Sequence, residues 1–175
     1  NQAAFLYEQA LQALPQDDNR RESVCIELGK ILVARGQHGD AINTFQQAGS
    51  SAKANLELAS AYLQAGQYQQ TVDAIQPLLK TDVPERDLAE VLASRALLMS
   101  ARLDDSQALI SAVLERKAPH PLAPRLLSNR GLIAYYQGDM DGARKNIESA
   151  YQQAHGLQDP ENLDLIRATL AMLLH

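Results

Sequence analysis

The sequence predicts an all-α fold of stacked antiparallel helical hairpins. Ala, Leu and Gln are abundant in the chain of 175 residues, and these residues favour helices. Long runs of β-branched residues, which would favour strands, do not occur. A pattern also recurs in which a glycine ends one apolar helical segment and a small residue follows five positions later. Repeated hairpins of this kind stack because each one covers the apolar face of the previous one.

The clearest copies of the pattern are "ELASAYLQAGQYQQTVDAIQPLL" and "GLIAYYQGDMDGARKNIESAY". Gly36, Gly66 and Gly138 are predicted to end the first helix of their hairpins, since glycine adopts a left-handed conformation at low cost. The third copy has "ARLDDSQ" in place of a glycine turn, and its turn is predicted near Leu103. The four turns are then separated by 30, 37 and 35 residues.

Small residues mark the predicted crossing of the two helices within each hairpin, where they let the backbones approach closely. They are Gly29, Ala59 and Gly131 on first helices and Ala41, Thr71, Ala108 and Ala143 on second helices. Arg95 and Arg130 occupy positions where the pattern expects Leu.

This period and pattern resemble those of the tetratricopeptide repeat family, whose period is about 34 residues. The resemblance covers nearly the whole chain and implies a single domain over residues 1–175 with the α-solenoid architecture of that family. Its parts would be a half repeat at 1–15, repeats at about 22–49, 52–80, 88–117 and 124–154, and a terminal helix at 160–174.

The charge and hydropathy of the chain argue against a nucleic-acid-binding protein and a membrane-spanning protein. The net charge of −5 disfavours a nucleic-acid partner, which normally requires a basic face. No apolar run approaches the length of a membrane span. The chain opens in a helical pattern without a visible signal peptide, so residues upstream of Asn1 are expected in the full-length protein.

The residues that could carry chemistry do not form a catalytic pattern. His38, His120, His155 and His175 show no helical metal-binding spacing, and all four are expected on the surface. Cys25 occupies a large apolar position and is interpreted as a small buried hydrophobic residue. We therefore predict no catalytic, cofactor or metal site and a protein that is not an enzyme.

First helices of such repeats line a concave groove suited to a peptide or a partner helix. The predicted groove residues are Lys30, Lys53, Leu56, Ser60, Leu63, Arg125, Asn129, Leu132, Tyr135 and Tyr136. This mostly apolar wall favours an apolar peptide or helix over a charged tail. The Lys/Asn-rich carboxylate clamp of some family members is not predicted, because Ser60 and Leu97 follow Lys30 at equivalent positions.

The segment "LLSNRGLIAYYQGDMDGARKNIESAYQQA" resembles the final repeats of TadD-type proteins of the tight-adherence (Flp) pilus system. The matching residues are Asn129, Gly131, Leu132, Gly138 and Asp139, whereas Thr169 begins the "TLAM" that stands in place of a closing Asn-Leu-Ala-Leu motif. This resemblance implies a periplasmic, outer-membrane-associated lipoprotein that assists the assembly or localisation of a secretin. Membrane contact would come only through a lipid anchor missing from this chain. The alternative is a cytoplasmic regulatory or chaperone-like module of a larger protein.

Overall fold

The computed structural model describes residues 2–116, 120, 122–158 and 160–173, without the side chains of 161, 162, 165, 168, 172 and 173. Every regular element in this part of the chain is an α-helix, so the predicted all-α fold is confirmed. The helices are α1 (Gln2–Ala13), α2 (Arg20–Ala34), α3 (His38–Gln47), α4 (Ala52–Gln64), α5 (Tyr68–Leu79), α6 (Arg86–Met99), α7 (Leu103–Arg116), α8 (Ala123–Tyr136), α9 (Met140–Gly156) and α10 (Pro160–Leu173).

Three-residue turns join the helices of four hairpins, α2–α3, α4–α5, α6–α7 and α8–α9. The residue in the middle of each turn has a positive φ, which is 73° at Gly36, 74° at Gly66, 59° at Ala101 and 80° at Gly138. The next N–H bonds back to the first helix, as from Gln37 N to Leu32 O and from Arg102 N to Leu97 O, both at 2.9 Å. All four hairpins therefore share one type of helix ending.

The third hairpin corrects the sequence-based register by two residues. Its turn is centred on Ala101, whereas Leu103 is already the first residue of α7. Ser94 and Ser106 consequently meet at the helix crossing, where Ser106 Oγ donates to Ser94 O at 2.7 Å. Ala108, the predicted crossing residue, is exposed. The pattern was hidden because alanine rarely occupies a left-handed position.

Replacing Ala101 by glycine is expected to stabilise the protein by about 0.5–1 kcal/mol. The left-handed conformation is strained for alanine, and this gain outweighs the greater freedom of glycine in the unfolded chain. Urea unfolding of the variant measures the change. Ala108→Gly on the exposed face of α7 is the control, and it should destabilise the protein by about 0.5–1 kcal/mol. An equal loss of unfolding free energy in both variants would contradict the strain at Ala101.

Glycine at two crossing points allows close contact between the helices of a hairpin. A Cβ at Gly131 would lie 2.5 Å from Ile147 Cδ1, and one at Gly29 would overlap the ring of Phe45. Phe45 and Ile147 are 1% and 0% exposed, so neither site has room for a larger residue. The predicted crossing positions in the first and fourth hairpins are confirmed.

The chain divides into two compact units, Asn1–Leu92 (unit 1) and Ala93–His175 (unit 2). The expectation of a single domain stays a prediction, and each unit is described by itself. Unit 1 contains 12 acidic and 7 basic residues, whereas unit 2 contains 9 of each, so the net charge of −5 belongs to unit 1. Among the described helices, none is long and apolar enough to cross a membrane.

Candidate protein-interaction site

Lys30 connects the two first helices of unit 1, α2 and α4. Its Nζ lies 3.3 Å from Glu57 Oε1 and 3.5 Å from Glu27 Oε1. Partial burial acts to lower the pKa of Lys30, but the charges of Glu57 and Glu27 raise it above its ordinary value. Lys30 is therefore a charged residue held in ion pairs on the predicted wall.

The other predicted groove residues of unit 1 offer partial surface. Leu56, Ser60 and Leu63 are half-buried, and Lys53 is exposed. Ser60 Oγ accepts a hydrogen bond from Gln64 Nε2 at 3.5 Å. Apolar and polar side chains thus alternate along this face of α4. Their role in binding stays a prediction.

Two predicted groove residues of unit 2, Asn129 and Leu132, are buried. They are 5% and 2% exposed. Asn129 Nδ2 donates to Ser94 Oγ at 2.8 Å, and its Oδ1 accepts from Arg95 Nη1 at 3.4 Å. With the bond from Ser106 to Ser94, these contacts join α6, α7 and α8. The two side chains offer little surface to a partner, and a direct role for them in binding stays a prediction.

The corrected register adds Arg95 to the predicted groove wall, although the sequence pattern assigned it to a large apolar position. In the corrected register it follows Ser94 as Lys30 follows Gly29. The sequence does contain a signal for this position. In the other hairpins the crossing residue lies seven positions before the turn glycine, and the residue seven positions before Ala101 is Ser94. Arg95 is half-buried and contacts Asn129 through its guanidinium.

Tyr135 and Tyr136 end α8 and pack edge to face, with ring centroids 5.7 Å apart. Tyr135 is half-buried, whereas Tyr136 is 54% exposed. Tyr136 also lines an apolar recess of about 310 Å³ together with Leu98, Met99, Ala101 and Leu103. The recess lies where α6 ends, α7 begins and α8 ends, and it gives unit 2 an apolar surface beside an aromatic pair.

Arg125 lies one turn before Asn129 on α8 and is half-buried. Its Nε is buried and has no hydrogen-bond acceptor among the described residues. A guanidinium has N–H donors only, and a buried donor without an acceptor is destabilising. Arg125 therefore provides an unused hydrogen-bond donor near the start of the predicted wall of unit 2.

Cys25 is fully buried, as expected, and burial raises the pKa of its thiol. A neutral buried thiol is a poor nucleophile. The expectation of four surface histidines is wrong for His120, which is 4% exposed and whose Nδ1 accepts a hydrogen bond from Leu122 N at 3.1 Å. His175 lies outside the described residues.

Comparison with known families identifies one repeat segment. Residues 91–157 match the family described as "Tetratricopeptide repeat", a segment that includes most of α6 and all of α7, α8 and α9. No curated protein sequence is significantly similar to this chain.

Solved structures with the same fold cover nearly all of the chain. A tetratricopeptide repeat protein from Parabacteroides merdae ATCC 43184 superposes with a TM-score of 0.72 at 15% identity, over 98% of this chain. MamA superposes with a TM-score of 0.68 at 21% identity, over 89% of this chain and 88% of MamA. MamA from Desulfovibrio magneticus RS-1 gives a TM-score of 0.60 at 14% identity, over 88% of this chain and 93% of its own.

These likenesses show the fold, which is that of helical hairpins in tetratricopeptide repeat structures. This chain spans 65% of the length of the Parabacteroides protein.

Proposed function

We propose that this chain, a fold of tetratricopeptide-type hairpins, is a non-catalytic scaffold that binds a peptide segment or partner helix through its first helices. The observation that carries the proposal is the apolar recess of unit 2 beside the Tyr135–Tyr136 pair. Aromatic residues at a protein surface supply large contact areas at low entropic cost, and they are frequent among residues that dominate binding energy.

The recess suits an apolar side chain of a partner. Its volume of about 310 Å³ lies within the usual range of ligand pockets. Met99 on its rim is 40% exposed and has a flexible side chain that adapts to differently shaped ligands. One leucine, methionine or phenylalanine of a bound peptide would remove this apolar surface from water.

The hydrogen bonds around Asn129 support the same role in a different way. They fix α6 and α8 relative to each other within unit 2, which favours a defined shape for the proposed wall that includes Arg95 and Arg125. A wall that is rigid before binding loses less entropy when a partner is bound.

The finer proposal is that the partner belongs to a bacterial pilus or secretion machine, with a secretin as the candidate. It rests on the resemblance of residues around Asn129 and Gly138 to TadD-type proteins. Periplasmic, outer-membrane-associated localisation belongs to the same proposal. Fractionation of cells that express the full-length protein tests it, because recovery in the cytoplasm would instead favour a regulatory or chaperone-like module.

Tyr136→Ala and Tyr135→Ala are each expected to weaken partner binding by about 1 kcal/mol or more. The reason is loss of the exposed aromatic surface beside the recess, and helical content should not change. The measurement is the affinity for peptides that tile the periplasmic parts of the secretin and other pilus-assembly proteins. Tyr68→Ala on the second helix α5 is the control and should bind normally. Unchanged affinity in both α8 variants would exclude the recess as the binding surface.

A further inference from the structure

A cleft of about 410 Å³ lies between α1 and α3 in unit 1, with α2 as its floor. Leu11, Leu28 and Leu32 supply the apolar part of its lining. Residues 28 and 30 lie about 200° apart around a helix, so the cleft and Lys30 are on opposite faces of α2. The cleft is thus separate from the predicted groove wall of the same unit.

The walls of the cleft are held in place. Arg21 Nη1 donates to Leu11 O at 2.8 Å and to Leu14 O at 2.9 Å, which ties the end of α1 to the start of α2. The turn around Gly36 ties the start of α3 to the end of α2. Both α1 and α3 therefore run antiparallel to α2 and face each other across it.

Each wall carries a side-chain amide that has no hydrogen-bond partner among the described residues. Gln12 on α1 and Asn43 on α3 are exposed, and both line the cleft. Gln47 Nε2 donates to the backbone oxygen of Asn43 at 3.2 Å, and no described residue donates to the side-chain oxygen of Gln47. Unused donors and acceptors thus lie on both sides of an apolar floor.

This combination fits a peptide backbone. A side-chain amide presents a donor and an acceptor side by side, which is the same pair that a peptide bond presents. A bound helix has already used its backbone groups internally, whereas an extended peptide has free N–H and C=O groups along both edges. The amides of Gln12 and Asn43 would therefore gain hydrogen bonds to a peptide backbone only from an extended ligand.

The charge of the cleft indicates which charge the ligand should carry. Glu8, Asp40 and one cation, Arg35, line the cleft, so its lining is net negative, and Glu8 has no partner among the described residues. Unit 1 as a whole carries the net charge of −5. A negative surface potential attracts cationic ligands and increases their association rate.

We propose that this cleft binds an extended, basic peptide segment of a partner protein. Gln12 and Asn43 pair with the peptide backbone, one apolar side chain packs on the leucine floor, and a neighbouring Lys or Arg contacts Glu8. This surface is additional to the first-helix wall and does not depend on it.

The test selects peptides from a displayed library of random linear sequences on the whole chain and measures their affinities by fluorescence anisotropy. The selected peptides should be rich in Lys or Arg around an apolar residue. The double variant Gln12→Ala with Asn43→Ala should bind them about tenfold more weakly or worse, as expected for two lost hydrogen bonds. The matched control, Gln70→Ala with Gln76→Ala, removes two exposed amides of α5 in the same unit and should bind normally.

Two further measurements separate the cleft from other surfaces. N-methylation of the backbone next to the apolar residue of the peptide should abolish binding, because it removes a donor and leaves the side chain unchanged. The proposal is overturned if no peptide is selected, if the cleft variant binds as well as its control, or if the peptide becomes helical when bound. Loss of binding in Tyr136→Ala alone would assign the selected peptides to the recess of unit 2 and would also overturn it.

Discussion

Replacing Gly131 by alanine is expected to destabilise the protein by about 1–3 kcal/mol, and replacing it by leucine should destabilise it further. The new Cβ would lie 2.5 Å from Ile147 Cδ1 and 3.2 Å from the backbone oxygen of Ala143. Ile147 is fully buried and has little space in which to change rotamer, and a backbone oxygen moves only with its helix. The helices α8 and α9 must therefore separate. Thermal unfolding followed by far-ultraviolet circular dichroism measures the loss.

Gly156→Ala is the matched control for this result. Gly156 is in the same unit, and a Cβ there would have no atom within 4 Å. Alanine also has the higher helix propensity, so the melting temperature should stay the same or rise slightly. If Gly131→Ala and Gly156→Ala had the same melting temperature, the close crossing of α8 and α9 would be contradicted.

Asn129→Ala is expected to destabilise the protein by about 1–3 kcal/mol, because a buried group loses its hydrogen-bond partner. Ser94 Oγ and Arg95 Nη1 both bond to the Asn129 amide, and Ser94 is fully buried. The free energy of unfolding in urea is the quantity to measure. A double-mutant cycle with Ser94→Ala should reveal a coupling energy, since the two residues share one hydrogen bond.

The comparison variant is Asn43→Ala, which removes an exposed amide that has no hydrogen bond to any described residue and should change stability by less than about 0.5 kcal/mol. The two substitutions also distinguish structural from direct roles. If Asn129→Ala left stability unchanged and only weakened partner binding, Asn129 would contact the partner and its structural role would be refuted.

The hairpins could be predicted because their turns use residues with distinctive backbone preferences. Gly36, Gly66 and Gly138 all have positive φ, and few other residues adopt this conformation at low cost. Gly29 and Gly131 were predictable for a steric reason, since close helix crossings exclude larger side chains. In these positions the local sequence and the packing impose the same requirement.

The third hairpin could not be placed correctly because Ala101 gives no such signal. Tertiary packing holds this alanine at a φ of 59°, against its own preference. The error of two residues moved the predicted crossing away from Ser94 and Ser106 and left Arg95 off the predicted wall. It also hid the partners of Asn129, whose burial depends on contacts 34 and 35 residues away in sequence.

The cleft of unit 1 was unpredictable for a different reason. Its polar residues are exposed glutamine and asparagine side chains, which have no periodicity that separates them from ordinary surface residues. Their significance comes from α1 and α3 facing each other across α2, a relation between three helices that sequence spacing does not encode.

The rate at which Cys25 is labelled by a thiol reagent reports how often the helices of unit 1 separate. Cys25 is the single cysteine of the chain and is fully buried, so a thiol reagent reaches it only when the surrounding helices separate. When closing is faster than labelling, the labelling rate equals the rate for a free thiol multiplied by the fraction of open molecules. Mass spectrometry of labelled protein then yields the free energy of opening around α2 under fully native conditions.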